Sequence, residues 1–210
     1  MTRPARRLLR GVVPVVVLFM FSGCLGGSGP ANLYRVTPAS GFPSNLPHRS
    51  VQLLIDLPLA PAGLDTTRIA LTRSAVSVDY FADSEWTDRV PPLVRTVLLA
   101  SFENSRAIEA IGRESAELRA DFILDPEIRH FEAVYDSPNG APEVWVAINV
   151  RLVNPSSRDF VAQTTVERRQ RAAANNIPDI ISAFNEALGG VMKEIVVWTV
   201  TNPALSRARS

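Results

Sequence analysis

Two histidines, His48 and His130, are the side chains around which metal or acid–base chemistry could be built. Neither has a second histidine, a cysteine or a carboxylate at metal-ligand spacing, so no transition-metal site is expected. The sequence has no Gly-x-Ser-x-Gly elbow and no glycine-rich phosphate loop outside the tether, although a Ser–His–Asp arrangement assembled by the fold remains open. His130 is expected on a strand with its ring at the sheet rim. We therefore predict no catalytic residue, no metal and no cofactor.

Two charged clusters allow a structural interpretation as well as a functional one. The acidic cluster consists of Asp79, Asp83, Glu85 and Asp88. It surrounds the start of a predicted helix, where negative charge complements the helix dipole. This structural interpretation is favoured over a glycosidase-like carboxylate pair.

The basic cluster consists of Arg168, Arg169 and Arg171. It is interpreted as solvated, with lipid headgroups or an acidic partner as the alternative.

The only cysteine, Cys24, follows a segment with the layout of a secretory signal. Four arginines precede an apolar run, and Ser22 and Gly23 supply the small residues of a cleavage site. The uncharged stretch of 15 residues from Gly11 to Leu25 is interrupted by Pro14. It is shorter than the roughly 20 residues of a membrane-spanning helix. Residues 1–23 are therefore predicted to be a cleaved signal peptide.

Phe21-Ser22-Gly23-Cys24 resembles the lipobox of bacterial lipoproteins, in which a bulky residue and two small ones precede an obligatory cysteine. The thiol of Cys24 would be alkylated by a diacylglycerol donor, and its new amino group could then be acylated. Two or three chains, at roughly 0.8 kcal/mol per buried methylene, give durable anchoring. Leu25, in place of aspartate, resembles the enterobacterial signal for the outer membrane. The predicted location is the periplasmic face of the envelope, most simply of the outer membrane.

Removal of the leader leaves 18 basic against 21 acidic residues, a formal charge of −3, and no basic patch that would suit nucleic acid. The mature length suits one domain with one core. Residues 24–49 are predicted to be a lipidated tether and extended lead-in, residues 50–201 the domain, and residues 202–210 a frayed tail.

Alternating and helical patterns predict an α+β domain: a mostly antiparallel sheet with two main helices on one face. Three long strands joined by short turns, between residues 120 and 168, predict an antiparallel meander. One helix starts near Asp88. The other starts after a cap at Asn176 and carries Gly189-Gly190, which indicates close packing on the sheet. Trp86, Trp145 and Trp198 are expected to be buried against the core.

Four blocks resemble a known family: LAPAGLDTTRIAL from Leu59, DYFADSEWTDRVP from Asp79, ADFIL from Ala120 with RHFEAV from Arg129, and the closing helix from Ala183 to Trp198. In this order they are similar to the ABC-type transport auxiliary lipoproteins, the group that includes the paraquat-inducible protein C type. The resemblance covers most of residues 33–200.

The resemblance implies a non-catalytic auxiliary component of an intermembrane lipid transport system. Its partners would be a mammalian-cell-entry (MCE) substrate-binding protein and an MlaE-like ABC permease and ATPase. A partner or homo-oligomer patch is expected on the exposed face of the meander or around Trp86, Asp88 and Arg89. The alternatives are a lipoprotein that structures the envelope or activates a wall-building enzyme, and a tethered hydrolase. Neighbouring reading frames would separate them.

Overall fold

The computed structural model describes residues 31–113 and 120–206. The predicted signal peptide, lipobox, Cys24 and Leu25 lie outside the described residues. The strands are β1 (Asn32–Tyr34), β2 (Arg49–Ile55), β3 (Arg68–Ser74), β4 (Ser77–Trp86), β5 (Ile108–Arg113), β6 (Phe122–Val134), β7 (Glu143–Asn154) and β8 (Asp159–Arg171). The helices are α1 (Val90–Ser105), α2 (Ile177–Thr201) and α3 (Pro203–Ser206). No helix within these ranges is long and apolar enough to cross a membrane.

The eight described strands form one mixed sheet, and only part of it is the predicted antiparallel sheet. The meander β6–β7–β8 and the hairpin β3–β4 are antiparallel, as expected. The pairings β1–β4, β2–β5, β2–β6 and β3–β6 are parallel, which corrects the expectation of a mostly antiparallel sheet. The physical reason is that these pairs join strands that are distant in the chain, whereas the short turns that the sequence signals join antiparallel neighbours.

Strand β6 organises the sheet because it has neighbours along both edges. β7 pairs with nearly its whole length on one edge. On the other edge, β2 pairs with the first residues of β6, β3 pairs with the last residues, and Leu59 bridges to Glu127 between them. This arrangement curls the sheet around β6.

The two main helices and one face of the sheet enclose a single core in the described chain. Residues Val144, Val146, Ile148, Val150 and Leu152 are completely buried on the inner face of β7, as predicted from their alternation. At the centre, the rings of Trp86, Phe131 and Phe184 contact one another edge-on or tilted, with centroids 5.1 to 5.6 Å apart. Such geometries are the favourable ones for aromatic pairs.

Helix α2 begins where the sequence predicted. The side chain of Asn176 accepts a hydrogen bond of 3.0 Å from the backbone N–H of Asp179. Further along, a Cβ on Gly190 would lie 3.3 Å from Cγ of Arg168 on β8, which confirms close helix–sheet packing there. A Cβ on Gly189 would meet nothing within 4 Å.

Replacing the cap with Asn176→Ala should destabilise the domain by about 1 kcal/mol, since one backbone donor of the first turn loses its partner. Urea unfolding followed by circular dichroism measures this as a lower midpoint with an unchanged slope. Asn176→Ser is the matched control because its hydroxyl can still accept the bond, and an equal loss in both variants would contradict the capping role.

The described part of the lead-in, residues 31–48, is packed against the domain, which the sequence did not reveal. The backbone N–H of Thr37 donates to Asn185 on α2 at 2.8 Å, and that of Ala39 donates to Ser101 on α1 at 2.9 Å. Val36 is buried. The lead-in therefore crosses and joins the two helices.

The predicted fraying of the tail does not extend through residues 203–206. These residues form α3, and Leu205 is buried. Residues 207–210 lie outside the described part of the chain.

Candidate docking surfaces

The end of β4 and the loop before α1 carry the three residues predicted to contact a partner, and the structure separates them. Trp86 is only 1% exposed and packs on Phe131 and Phe184 in the core. Trp86 can therefore fix the position of the loop but offers no contact surface, which corrects that part of the prediction. Asp88 and Arg89 are exposed.

Asp88 and Arg89 are held by short polar contacts. The Asp88 carboxylate accepts a 2.7 Å hydrogen bond from the backbone N–H of Arg89. The guanidinium of Arg89 pairs with Asp65 in the turn before β3. The contacts hold the charged end of Arg89 against the Asp65 turn, beside the start of α1.

A groove of about 630 Å³, which we call the Arg89 groove, opens beside this ion pair. Its apolar lining includes Leu57, Leu59, Ala60, Pro58, Pro91 and Pro92, and its polar lining includes Asp56, Asp65, Arg89, Arg95 and Asp125. Leu59 is 61% exposed and Leu57 is 46% exposed. Exposed apolar residues together with charged residues are a composition found in protein–protein interfaces.

Two buried polar atoms in the Arg89 groove, Oδ1 of Asp65 and Nε of Arg95, have no hydrogen-bond partner among the described residues. Buried polar atoms are normally paired, so such atoms require an explanation. Burial raises the pKa of the Asp125 carboxyl above its ordinary value, although the Arg151 guanidinium opposes the shift. The groove thus contains polar groups whose bonding is incomplete in the isolated chain.

A second groove, of about 740 Å³, lies on the outer face of the sheet between the β3–β4 hairpin and β6–β8, and we call it the outer groove. The ring of His130 stacks on Trp145, with centroids 3.3 Å apart, and the Arg169 guanidinium lies 3.8 Å from the Trp145 centroid. Trp145 is therefore on the outer face and not against the core as predicted. The reason is its place between Val144 and Val146, whose side chains point to the helices.

Nδ1 of His130 lies 2.7 Å from Oε1 of Glu132, a residue that is itself buried. Alternation along a strand puts residues two apart on one face, and this signal for the pair was missed in the sequence. The pair could move a proton, but the hydroxyls of Ser74 and Ser77 bond each other at 2.8 Å and not to His130. In the ranges that the structure describes, no three His, Cys, Asp or Glu side chains converge as metal ligands.

Residues 33–196 match the sequence profile of the family described as the ABC-type transport auxiliary lipoprotein component. The chain belongs to this family. The resemblance seen in the sequence is thereby confirmed. The match starts inside β1 and ends inside α2, so residues 33–49 of the lead-in and both grooves lie within the matched range.

Two further comparisons place this auxiliary lipoprotein domain among known proteins. An uncharacterized protein of Bradyrhizobium diazoefficiens is 32% identical over 179 residues, which are 83% of this chain and 47% of that protein. The chain thus spans about half the length of that curated relative. A crystal structure of a Xanthomonas campestris protein of the DUF330 family has 25% identity and a TM-score of 0.76, covering 81% of this chain and 95% of that one.

A third comparison supports the fold alone. The crystal structure of another uncharacterized protein has 13% identity and a TM-score of 0.61, covering 80% of this chain and 97% of that chain. A similar fold is therefore also found in a protein whose sequence has low identity to this chain.

The basic cluster of this auxiliary lipoprotein domain has its charge matched within the chain. Arg168 pairs with Glu194 on α2, Arg169 with Glu143 at 3.2 Å, and Arg171 with Asp136 at 2.8 Å. Exposed pairs of this kind contribute little stability. They do reduce the net positive charge that the cluster would present to an acidic partner.

Proposed function

We propose that the protein is a lipid-anchored, non-catalytic auxiliary component of an MCE/ABC-type, MlaE-like system that moves lipid between the inner and outer membranes. The observation that carries the proposal is the family match over residues 33–196. In this role Cys24 holds the protein to a membrane, most simply the outer one, and the domain docks the MCE substrate-binding protein without hydrolysing ATP.

The Arg89 groove is the docking surface we favour. The exposed leucines of the groove are in contact with water unless a partner covers them, and covering apolar surface is favourable. Asp65 and Arg95 also line the groove and supply charged groups for polar contacts with that partner. Arg89, whose side chain is 58% exposed, can exchange or share its contact with Asp65 when the partner binds.

Membrane tethering makes a modest contact sufficient. A chain anchored within reach of its partner meets it at an effective concentration that short linkers raise to the millimolar range. The groove therefore does not need the area of a permanent interface. This agrees with an auxiliary protein that receives or positions a transport component.

The variant Asp88→Arg should reduce capture of the MCE partner, since a second positive charge beside Arg89 competes for Asp65 and alters the groove rim. The measurement is pull-down of the partner by the full chain in detergent, quantified over a concentration series. Loss of one rim charge contact typically costs about 0.2 to 1 kcal/mol, and reversal costs more, so a several-fold weaker affinity is expected.

The matched control for Asp88→Arg is Asp159→Arg, the same charge change at an exposed position at the start of β8. It should bind as the unmodified chain does. Equal affinity in the Asp88 variant and the unmodified chain would remove this loop from the docking surface. Absence of any capture of the partner by the unmodified chain would contradict the proposed function itself.

A further inference from the structure

The turn between β3 and β4 projects from one end of the sheet and carries no charge. Its residues are Ser74, Ala75, Val76, Ser77 and Val78, and all are exposed. Val76 is 95% exposed and Val78 is 47% exposed. Below the turn, Arg73 and Asp79 pair at 3.4 Å. The tip has two exposed valines next to an ion pair. Such a surface suits a shallow membrane contact, in which apolar side chains are buried at the headgroup boundary.

The direction of β1 brings the predicted anchor to this tip. β1 is parallel to β4, with Asn32 opposite Ser84 and Tyr34 opposite Trp86. The start of β1 therefore lies toward the end of the sheet at which β4 begins, which is the hairpin tip. Cys24 precedes Asn32 by eight residues, which span at most about 26–29 Å. Val76 precedes Ser84 by the same number of residues.

The other exposed apolar tip is not within easy reach of the anchor. Phe160 and Val161 follow the β7–β8 turn. That turn lies beside the start of β6, where Ile123 pairs with Val153, whereas the hairpin lies beside the end of β6 at Val134. β8 is also five strands from β1 across the sheet, whereas the hairpin strand β4 is the direct neighbour of β1.

We propose that the β3–β4 hairpin tip contacts the lipid bilayer that holds Cys24, with Val76 and Val78 at the headgroup boundary. The contact rests on the proposed lipid anchoring and adds an orientation to it. Asp88 and Arg89 follow the other end of β4, so the bound hairpin directs the Arg89 groove away from the membrane and toward a partner in the periplasm.

The test uses the lipidated full chain, purified from membranes and inserted into vesicles of phosphatidylethanolamine and phosphatidylglycerol. Because the sequence has one cysteine, and lipidation occupies it, Val76→Cys introduces a single free thiol for an environment-sensitive fluorophore. We expect its emission to move to shorter wavelength on vesicles, and lipids with a headgroup-level nitroxide to quench it. The same label at Ser157→Cys, exposed in the β7–β8 turn, should show neither effect.

A second substitution tests the other valine of the hairpin tip. Adding Val78→Asp to the labelled Val76→Cys chain should reduce the quenching, because the tip then carries a charge. Both positions are exposed, and circular dichroism checks that the fold is retained. Vesicle flotation distinguishes a failure of the lipid anchoring from a failure of the hairpin contact. A chain that does not float contradicts the anchoring and the contact together, and a floating chain with an unquenched Val76 label overturns the hairpin contact alone.

Discussion

Cys24→Ser is expected to move the protein from the membrane fraction into the soluble fraction or to leave it unprocessed. The serine hydroxyl does not form the thioether, so the diacylglycerol group is lost together with the acyl chain on the new amino terminus. At roughly 0.8 kcal/mol per buried methylene, loss of two or three chains abolishes stable membrane binding. Flotation and immunoblotting of fractionated cells measure it. The thermal transition of the domain should be unchanged.

Leu25→Asp is the matched control for Cys24→Ser. In an enterobacterial host it should keep the lipid and the membrane association but move the protein from the outer to the inner membrane on a density gradient. If the Cys24→Ser protein stays in the membrane fraction and supports transport, the anchor has been assigned to the wrong residue. If Leu25→Asp changes nothing, only the assignment to the outer membrane is affected.

Phe184→Ala is expected to destabilise the domain more than any substitution at the docking surfaces. Phe184 is completely buried and its ring contacts both Trp86 and Phe131, so truncation opens a cavity between α2 and the sheet. A buried Phe→Ala change costs about 3–5 kcal/mol. For a domain of this size that lowers Tm by roughly 6–20 °C. Thermal and urea unfolding measure it.

Phe160→Ala is the matched control, since Phe160 is 67% exposed on β8 and its truncation should change stability by about 0.5 kcal/mol or less. Equal effects of the two substitutions would show that the Trp86–Phe131–Phe184 cluster does not hold α2 to the sheet. The cluster also positions the loop after β4 through Trp86, so Phe184→Ala should weaken partner capture as well.

The elements that depend on local pattern could be predicted from the sequence. The alternation in β7 identifies the buried face residue by residue, and Asn176 with Asp179 marks the start of α2. Strand pairing was harder to predict. The parallel neighbours of β6 are brought together from distant parts of the chain, and no short turn signals them.

The candidate site was predicted in part. The loop from Trp86 to Arg89 was selected as a partner contact, and Trp86 was also predicted to be buried; its burial is confirmed, so only Asp88 and Arg89 are exposed there. The Arg89 groove also needs Leu57 and Leu59, which the bridge to Glu127 places beside the loop. Trp145 was assigned to the wrong face, although its buried neighbours Val144 and Val146 contained the correct signal.

The attachment of the lead-in determines how the domain would bear mechanical load. A force applied to the chain before Asn32 acts along β1. The hydrogen bonds between β1 and β4 are then loaded in shear, so they must break together and not one after another. Beyond β1, the bonds of Thr37 to α2 and of Ala39 to α1 distribute the same force over both helices. Tension between a membrane and a bound partner would therefore be resisted by the whole core.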